Sequence, residues 1–270
     1  MKAKRILFIT QEMVPFSPDS PKSKMGRILP QSIQEANHEI RSFSPRWGNI
    51  NERRNQLHEV IRLSGMNIII DDTDHPLIIK VASIPSARMQ IYFIDNDDYF
   101  MRRLMTTDEN GKEYADNGER AIFYVRGVLE TVKKLRWVPD VIHCHGWITA
   151  FAPLYIKKAY ADEPSFRDAK VVFSASSPEF KNDLGQHTAQ CVPFKDIEMS
   201  DIDDITKDKF GYNELQKIAI KYSDGVVMDD AKVDKGVIKY AKDLNIPVLD
   251  YQGEDFAKAY SDFYETIMGE

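Results

Sequence analysis

Short apolar runs that alternate with stretches of helical periodicity set the strongest limit on how this chain folds. "RILFIT" (5–10), "HEIRSFS" (38–44), "MQIYFID" (89–95), "DVIHCH" (140–145), "KVVFSAS" (170–176), "DGVVMDD" (224–230) and "IPVLDY" (246–251) read as strands. Between many of them lie "GRILPQSIQEANH", "NGERAIFYVRGVLETVKKL", "WITAFAPLYIKKAY", "YNELQKIAIKYS" and "AKVDKGVIKYAKDL", whose apolar residues recur at helical spacing. This alternation predicts an α/β fold: a doubly wound, Rossmann-like parallel sheet covered on both faces, with ligands held beyond the carboxyl ends of the strands. Functional residues are therefore expected just after strands.

Two stretches break the pattern. From "HEVIRLSG" through "DHPLIIKVASIPSARMQIYFID" (58–95) the apolar runs are joined by turn-like breaks too short for crossover helices, so a β-rich, hairpin-bearing insertion is expected. Residues 177–209 lack a clear period and end in an acidic cluster, which reads as a long irregular segment with short helical pieces and a leaning to disorder. The segment 253–268 reads as a closing helix with Phe256, Tyr260, Phe263 and Ile267 on one side. With 270 residues and 43% hydrophobic content, one large domain over 1–270 is the expected organisation.

Charge and cysteines narrow the function. A formal net charge of −6 with scattered Lys and Arg argues against a nucleic-acid partner, whose phosphates need a concentrated basic face. Two cysteines give no disulfide framework, the opening apolar run is too short for a signal peptide, and no run reaches membrane-spanning length. The expectation is a cytoplasmic protein with no membrane partner.

The first strand leads into "QEMVPFSPDSPKSKMGRILP", the usual place for a phosphate-holding loop. From Pro15 to Pro21 it carries three prolines and no glycine, so backbone donors are missing where a phosphate wants them. The strongest local signal is "PDVIHCHGW" (139–147). Strand alternation sends His143 and His145 to one side and Cys144 to the other, which argues against a metal held by the three together. Two readings stand for the histidines: hydrogen bonding or acid–base work on a sugar, or a pair of satisfied imidazoles under Trp147.

In "YADNGER" (114–120), Asp116 and Asn117 precede a long helix; capping explains one and leaves the other available. The run "DIEMSDIDD" has no calcium-loop spacing and reads as a solvated face, while His187 and Cys191 have metal-compatible spacing without a second pair. No metal site is expected. Trp47, Trp137 and Trp147 offer either sugar stacking or core packing. Dinucleotide, Walker and nucleophile-elbow motifs are all lacking.

Taken in order, "QEMVPF", "HEIRSFSPRWGNINERRNQLHEVIR", "IYFIDNDDYF", "YADNGERAIFYVRGVLE" and "PDVIHCHGWITAFAPLYIK" resemble the amino-terminal half of bacterial glycogen synthases and plant starch synthases, glycosyltransferase family 5. "KYSDGVVMDD" is more faintly similar to a later strand of the same half. The resemblance implies the amino-terminal half of a GT-B glycosyltransferase, which transfers glucose from ADP-glucose to an α-1,4-glucan in a cleft between two Rossmann-like domains. ADP-glucose is then a donor substrate, with no resident cofactor.

Carried over by motif, the catalytic candidates are His143, His145 and Asp116. Glu12, Tyr114, Asn117 and Trp147 become sugar-side residues, and Gly146 stands where the family has an aspartate. The family's "K-T-G-G-L-A-D-V" falls on Pro18 to Met25, which removes its lysine and both glycines and leaves Lys22 and Lys24 as displaced charges. Nothing after residue 230 resembles the family's second domain. The resemblance therefore implies a domain unable to transfer glucose alone, completed by a separate second-domain partner or a homo-oligomer mate. The alternative is a non-catalytic domain that binds an α-glucan or another small sugar.

Overall fold

A computed structural model describes residues 3–101, 103–253 and 256–269. Among these, ten strands and eight helices alternate along the chain. They run β1 (Arg5–Thr10), α1 (Pro21–Glu35), β2 (Glu39–Pro45), β3 (His58–Glu59), β4 (Met66–Ile70), β5 (Thr73–Ile84), β6 (Met89–Asp95) and α2 (Asn117–Leu135). The chain continues through β7 (Val141–His145), α3 (Ala152–Lys157), β8 (Lys170–Ala175), α4 (Gly185–Cys191), α5 (Asp203–Thr206), α6 (Tyr212–Lys221), β9 (Gly225–Met228), α7 (Lys235–Asp243), β10 (Val248–Leu249) and α8 (Ala257–Met268).

The sheet order is β10-β9-β8-β7-β1-β2-β6-β5-β3, and β10 through β6 are parallel. From β1 the chain winds outward through β2 and β6, then returns to β7 on the other side of β1. The topological switch point therefore lies between β1 and β7, and there the loops diverge to open a crevice.

Strand alternation sorts the core into two layers. Ile6, Phe8, Val141 and Val172 pack with Met25, Leu29 and Ile33 of α1 and with Tyr260, Phe263 and Tyr264 of α8. Their neighbours Leu7, Ile9, Ile142, Cys144, Val171 and Phe173 face the opposite layer, with α2, α3 and α6. Both faces are covered, as near-continuous apolar parallel strands require. Helix α1 begins five residues earlier than the periodicity suggests, because Ser20 caps it and Pro21 sits in its first turn.

Within 58–95, β6 pairs in parallel with β2 and belongs to the main sheet, so the added part is β3 to β5. β4 and β5 form a two-residue hairpin whose turn residues, Asp71 and Asp72, have φ of 48° and 58°. Paired positive φ values match the right-handed twist of the strands. The segment 177–209 carries α4 and α5 and is packed, with Phe180, Val192 and Ile202 buried. The closing helix has the expected buried face, to which Tyr264 adds; Glu254 and Asp255, inside the 253–268 range, lie outside the described residues. No helix among the described residues is long and apolar enough to cross a membrane.

Candidate functional site

A groove of about 1050 Å³ opens beyond the carboxyl ends of the strands, between the loops that follow β1, β8, β9 and β10. Its charged lining includes Glu12, Lys22, Glu179, Asp229, Asp230 and Lys232. Close backbone approach places Glu12 there. A Cβ added to Gly26 of α1 would stand 2.2 Å from the Glu12 carbonyl oxygen, so only glycine lets this loop lie on the helix. Val14 N–H donating to the Ser23 carbonyl at 3.0 Å fixes the same contact.

The start of α1, where a phosphate would be expected, is already occupied by its own loop. Pro21 has no N–H, the Ser23 N–H donates to Ser20 Oγ at 2.9 Å, and the Lys24 N–H donates to the Ser20 carbonyl. Ser20 Oγ also donates to Glu12 Oε1 at 3.2 Å. Lys22 Nζ is ion-paired to the Glu179 carboxylate and donates to Ser176 Oγ at 2.9 Å. Glu179 Oε2 in turn accepts from Gln11 Nε2 at 2.6 Å, and Gln11 Oε1 accepts from the Trp147 N–H at 3.0 Å. Lys24 is paired with Asp19 at 3.0 Å on the outer rim, both more than half exposed.

Two carboxyls in this groove are driven in opposite directions. Burial and the neighbouring Glu179 push Glu12 above the usual carboxylate range, against the Ser20 hydrogen bond, His145 and Lys22. Burial also pushes Asp229 upward, but the His145 imidazole, hydrogen bonded to Asp229 Oδ2 at 3.1 Å, and Lys22 hold it below that range. One acid leans toward the proton-bearing form and the other is held ionised, which suits donor and acceptor roles toward hydroxyl groups. Asp230 is committed to Ser177, accepting from both its N–H and its hydroxyl.

Of the residues singled out in the sequence, Glu12, Lys22 and Lys24 line the groove, and His145 reaches it through Asp229. His143 is fully buried: Tyr264 of α8 stands 2.6 Å from Nδ1 and Ser174 2.8 Å from Nε2. Burial, with His145 nearby, pulls its pKa down to about 3. Trp147 is buried edge-to-face against Phe180, so it offers no ring to a sugar, and Trp47 is equally buried with Nε1 donating to the Gln11 carbonyl. The second reading of the tryptophans, core packing, is the one realised in these two.

Tyr114, Asp116 and Asn117 form a separate network. Asp116 occupies the helix-cap position without a capping hydrogen bond; it instead takes two bonds from Arg103, at 2.7 and 2.5 Å. Tyr114 lies under that guanidinium, 4.3 Å from ring centre to Cζ. Asn117 donates to the Thr106 carbonyl and accepts from Arg120, whose own pKa burial pulls down to about 9, helped by Arg103. The capping expectation thus fails for both side chains, because the Arg103 and Arg120 guanidinium groups take up the Asp116 carboxylate and the Asn117 amide oxygen. Glu179 belongs to no quoted motif, and Asp229 and Asp230 only close the faintly similar "KYSDGVVMDD"; their position just past β8 and β9 is the signal that marks them.

A doubly wound sheet whose crevice opens at the switch point beside β1 defines a GT-B glycosyltransferase-like Rossmann domain. Residues 5–241 match the family model for the starch synthase catalytic domain, and the chain belongs to that family. It is 39% identical to a glycogen synthase of Pelodictyon phaeoclathratiforme over 171 residues, which is 63% of this chain and 35% of that protein. A glycogen synthase of Chlorobium limicola is 38% identical over the same extent. The chain thus spans 35% of the length of these relatives. The solved catalytic domain of starch synthase IV from Arabidopsis thaliana, bound to ADP and acarbose, superposes with a TM-score of 0.73 at 17% identity, over 93% of this chain and 51% of that one.

Proposed function

We propose that these 270 residues form the sugar-side lobe of a glucosyltransferase of the glycogen and starch synthase type, which binds an α-glucan or related sugar and does not transfer glucose from ADP-glucose alone. The observation that carries this reading is the occupied start of α1: its first amides serve Ser20, and Lys22 is neutralised by Glu179. A diphosphate needs preorganised donors and positive charge, and displaced lysines beside four carboxylates do not supply them. Carboxyl, hydroxyl and ammonium groups around an open groove do suit the neutral, hydroxyl-rich face of a sugar.

Transfer then requires a second, nucleotide-gripping lobe facing this groove, on the same polypeptide or on another. The family match over 5–241 favours this reading over an unrelated use of the scaffold. A cytoplasmic setting is in keeping with the two unpaired buried cysteines, Cys144 and Cys191. The test is calorimetric titration of the 270-residue chain with maltooligosaccharides, alongside ADP release from ADP-glucose and glycogen. Binding that weakens in Glu12→Gln and Asp229→Asn, with no ADP release, is the expected result. Sustained ADP release by the monomer refutes the proposal, as does the absence of any sugar binding.

A further inference from the structure

Away from the groove, three chain segments bring metal-ligating side chains to one point. His187 and Cys191 lie one turn apart on α4, with Cys191 Sγ 3.8 Å from His187 Nε2. Asp71, at the tip of the β4–β5 hairpin, places Oδ2 3.7 Å from the same nitrogen, and Glu119, in the first turn of α2, places Oε1 at 3.3 Å. One ligand atom from each of Asp71, His187 and Cys191 lies within 4.8 Å of the others. The i, i+4 pair visible in the sequence is thus completed by a residue at the tip of a distant hairpin, which no spacing rule could supply.

We propose that Asp71, His187 and Cys191 bind one zinc-like divalent ion that fastens the hairpin to α4, the fourth position being left to solvent. A single imidazole N–H can serve only one acceptor well, yet two carboxylates and a sulfur converge on His187 Nε2. Tetrahedral zinc, with bonds of about 2.0–2.3 Å, holds its ligand atoms roughly 3.3–3.8 Å apart, the range found around this nitrogen. A mixed nitrogen, sulfur and oxygen set selects zinc or cobalt over magnesium or calcium, which prefer oxygen alone.

The electrostatic setting agrees. The carboxylates of Asp71 and Glu119, both close to His187 Nε2, gather negative charge at this point. A divalent cation offsets that negative charge, and its binding releases the thiol proton to solvent as the sulfur–metal bond forms. The approach is open, because Asp71 and His187 are both exposed while Cys191 forms the buried end. Beneath them Gly118 lets α4 approach α2: a Cβ there would lie 2.1 Å from Thr188 Cγ2. That contact sets Glu119 beside His187.

Titration of the full chain with Co²⁺, followed by absorption, tests the site. One saturating equivalent is expected, with a sulfur-to-cobalt charge-transfer band, ligand-field bands of four-coordinate cobalt, and displacement by Zn²⁺. Cys191→Ser should abolish the charge-transfer band. Because that residue is buried, the exposed variants Asp71→Asn and His187→Ala carry the decision; each should weaken binding roughly tenfold or more while leaving the circular dichroism spectrum unchanged. No saturating band, or a band of undiminished affinity in His187→Ala, overturns the proposal. Neither outcome depends on sugar binding in the groove.

Discussion

Replacing Gly146 by alanine tests how the floor of the groove is held. Gly146 follows β7 at φ 95° and ψ 158°, a backbone region that only glycine enters without strain. An alanine Cβ there would stand 2.4 Å from Gln11 Cβ and 2.5 Å from Gln11 Oε1. The backbone strain costs about 1–3 kcal/mol. Displacing a packed side chain adds about 1–3 kcal/mol more. Gly185 provides the control: its φ is also positive, at 78°, but nothing lies within 4 Å of an added Cβ.

Gly185→Ala should therefore pay only the conformational cost, roughly 1–2 kcal/mol. Urea unfolding of both variants, followed by tryptophan fluorescence, should separate them by about 2 kcal/mol, equivalent to about 4–8 °C in melting temperature for a chain of this size. Gly146→Ala should also loosen the Gln11–Glu179 contact and so alter maltooligosaccharide affinity, whereas Gly185→Ala should leave it unchanged. Equal destabilisation of the two variants, within about 0.5 kcal/mol, would refute the claim that the Gln11 side chain fills the space beside Gly146.

Three further outcomes follow from the same contacts. His143 titrates near 6.5 when unfolded but only near 3 when folded, so the unfolded chain takes the proton first. Stability should fall as pH drops below about 6.5, by up to about 1.4 kcal/mol per pH unit, and His143→Gln should flatten that slope between pH 6.5 and 4 in unfolding titrations. Tyr264→Phe leaves the buried His143 Nδ1 without its partner and should cost about 1–3 kcal/mol by the same measurement. Asp116→Asn, which breaks the partly exposed pair with Arg103, should cost on the order of 1 kcal/mol and leave maltooligosaccharide affinity unchanged. A selective loss of affinity in that variant would instead assign Asp116 to the site.

The sheet is legible in the sequence because burial on both faces leaves contiguous apolar runs. "RILFIT" and "MQIYFID" coincide with β1 and β6, and "NGERAIFYVRGVLETVKKL" with α2. Local patterns also set the facing of His143, His145 and Cys144, since alternation along a strand depends on nothing beyond it. What those side chains touch is another matter. The partner of His143 comes from 121 residues away, and that of His145 from 84 residues away. The long helix after "YADN" is equally plain, yet the tie between Asp116 and Arg103 depends on how a loop folds back. Glu179 is invisible as a motif because its role consists of meeting Lys22 and Gln11 across 157 and 168 positions.

The cover that α8 lays over β7 also bears on how the molecule is made. Residues of the central strand leave the ribosome well before the helix that seals one side of them, and synthesis advances at about 5–20 residues per second. For several seconds the growing polypeptide therefore carries a greasy, unroofed surface, and it is in that interval that a chaperone would find its opening.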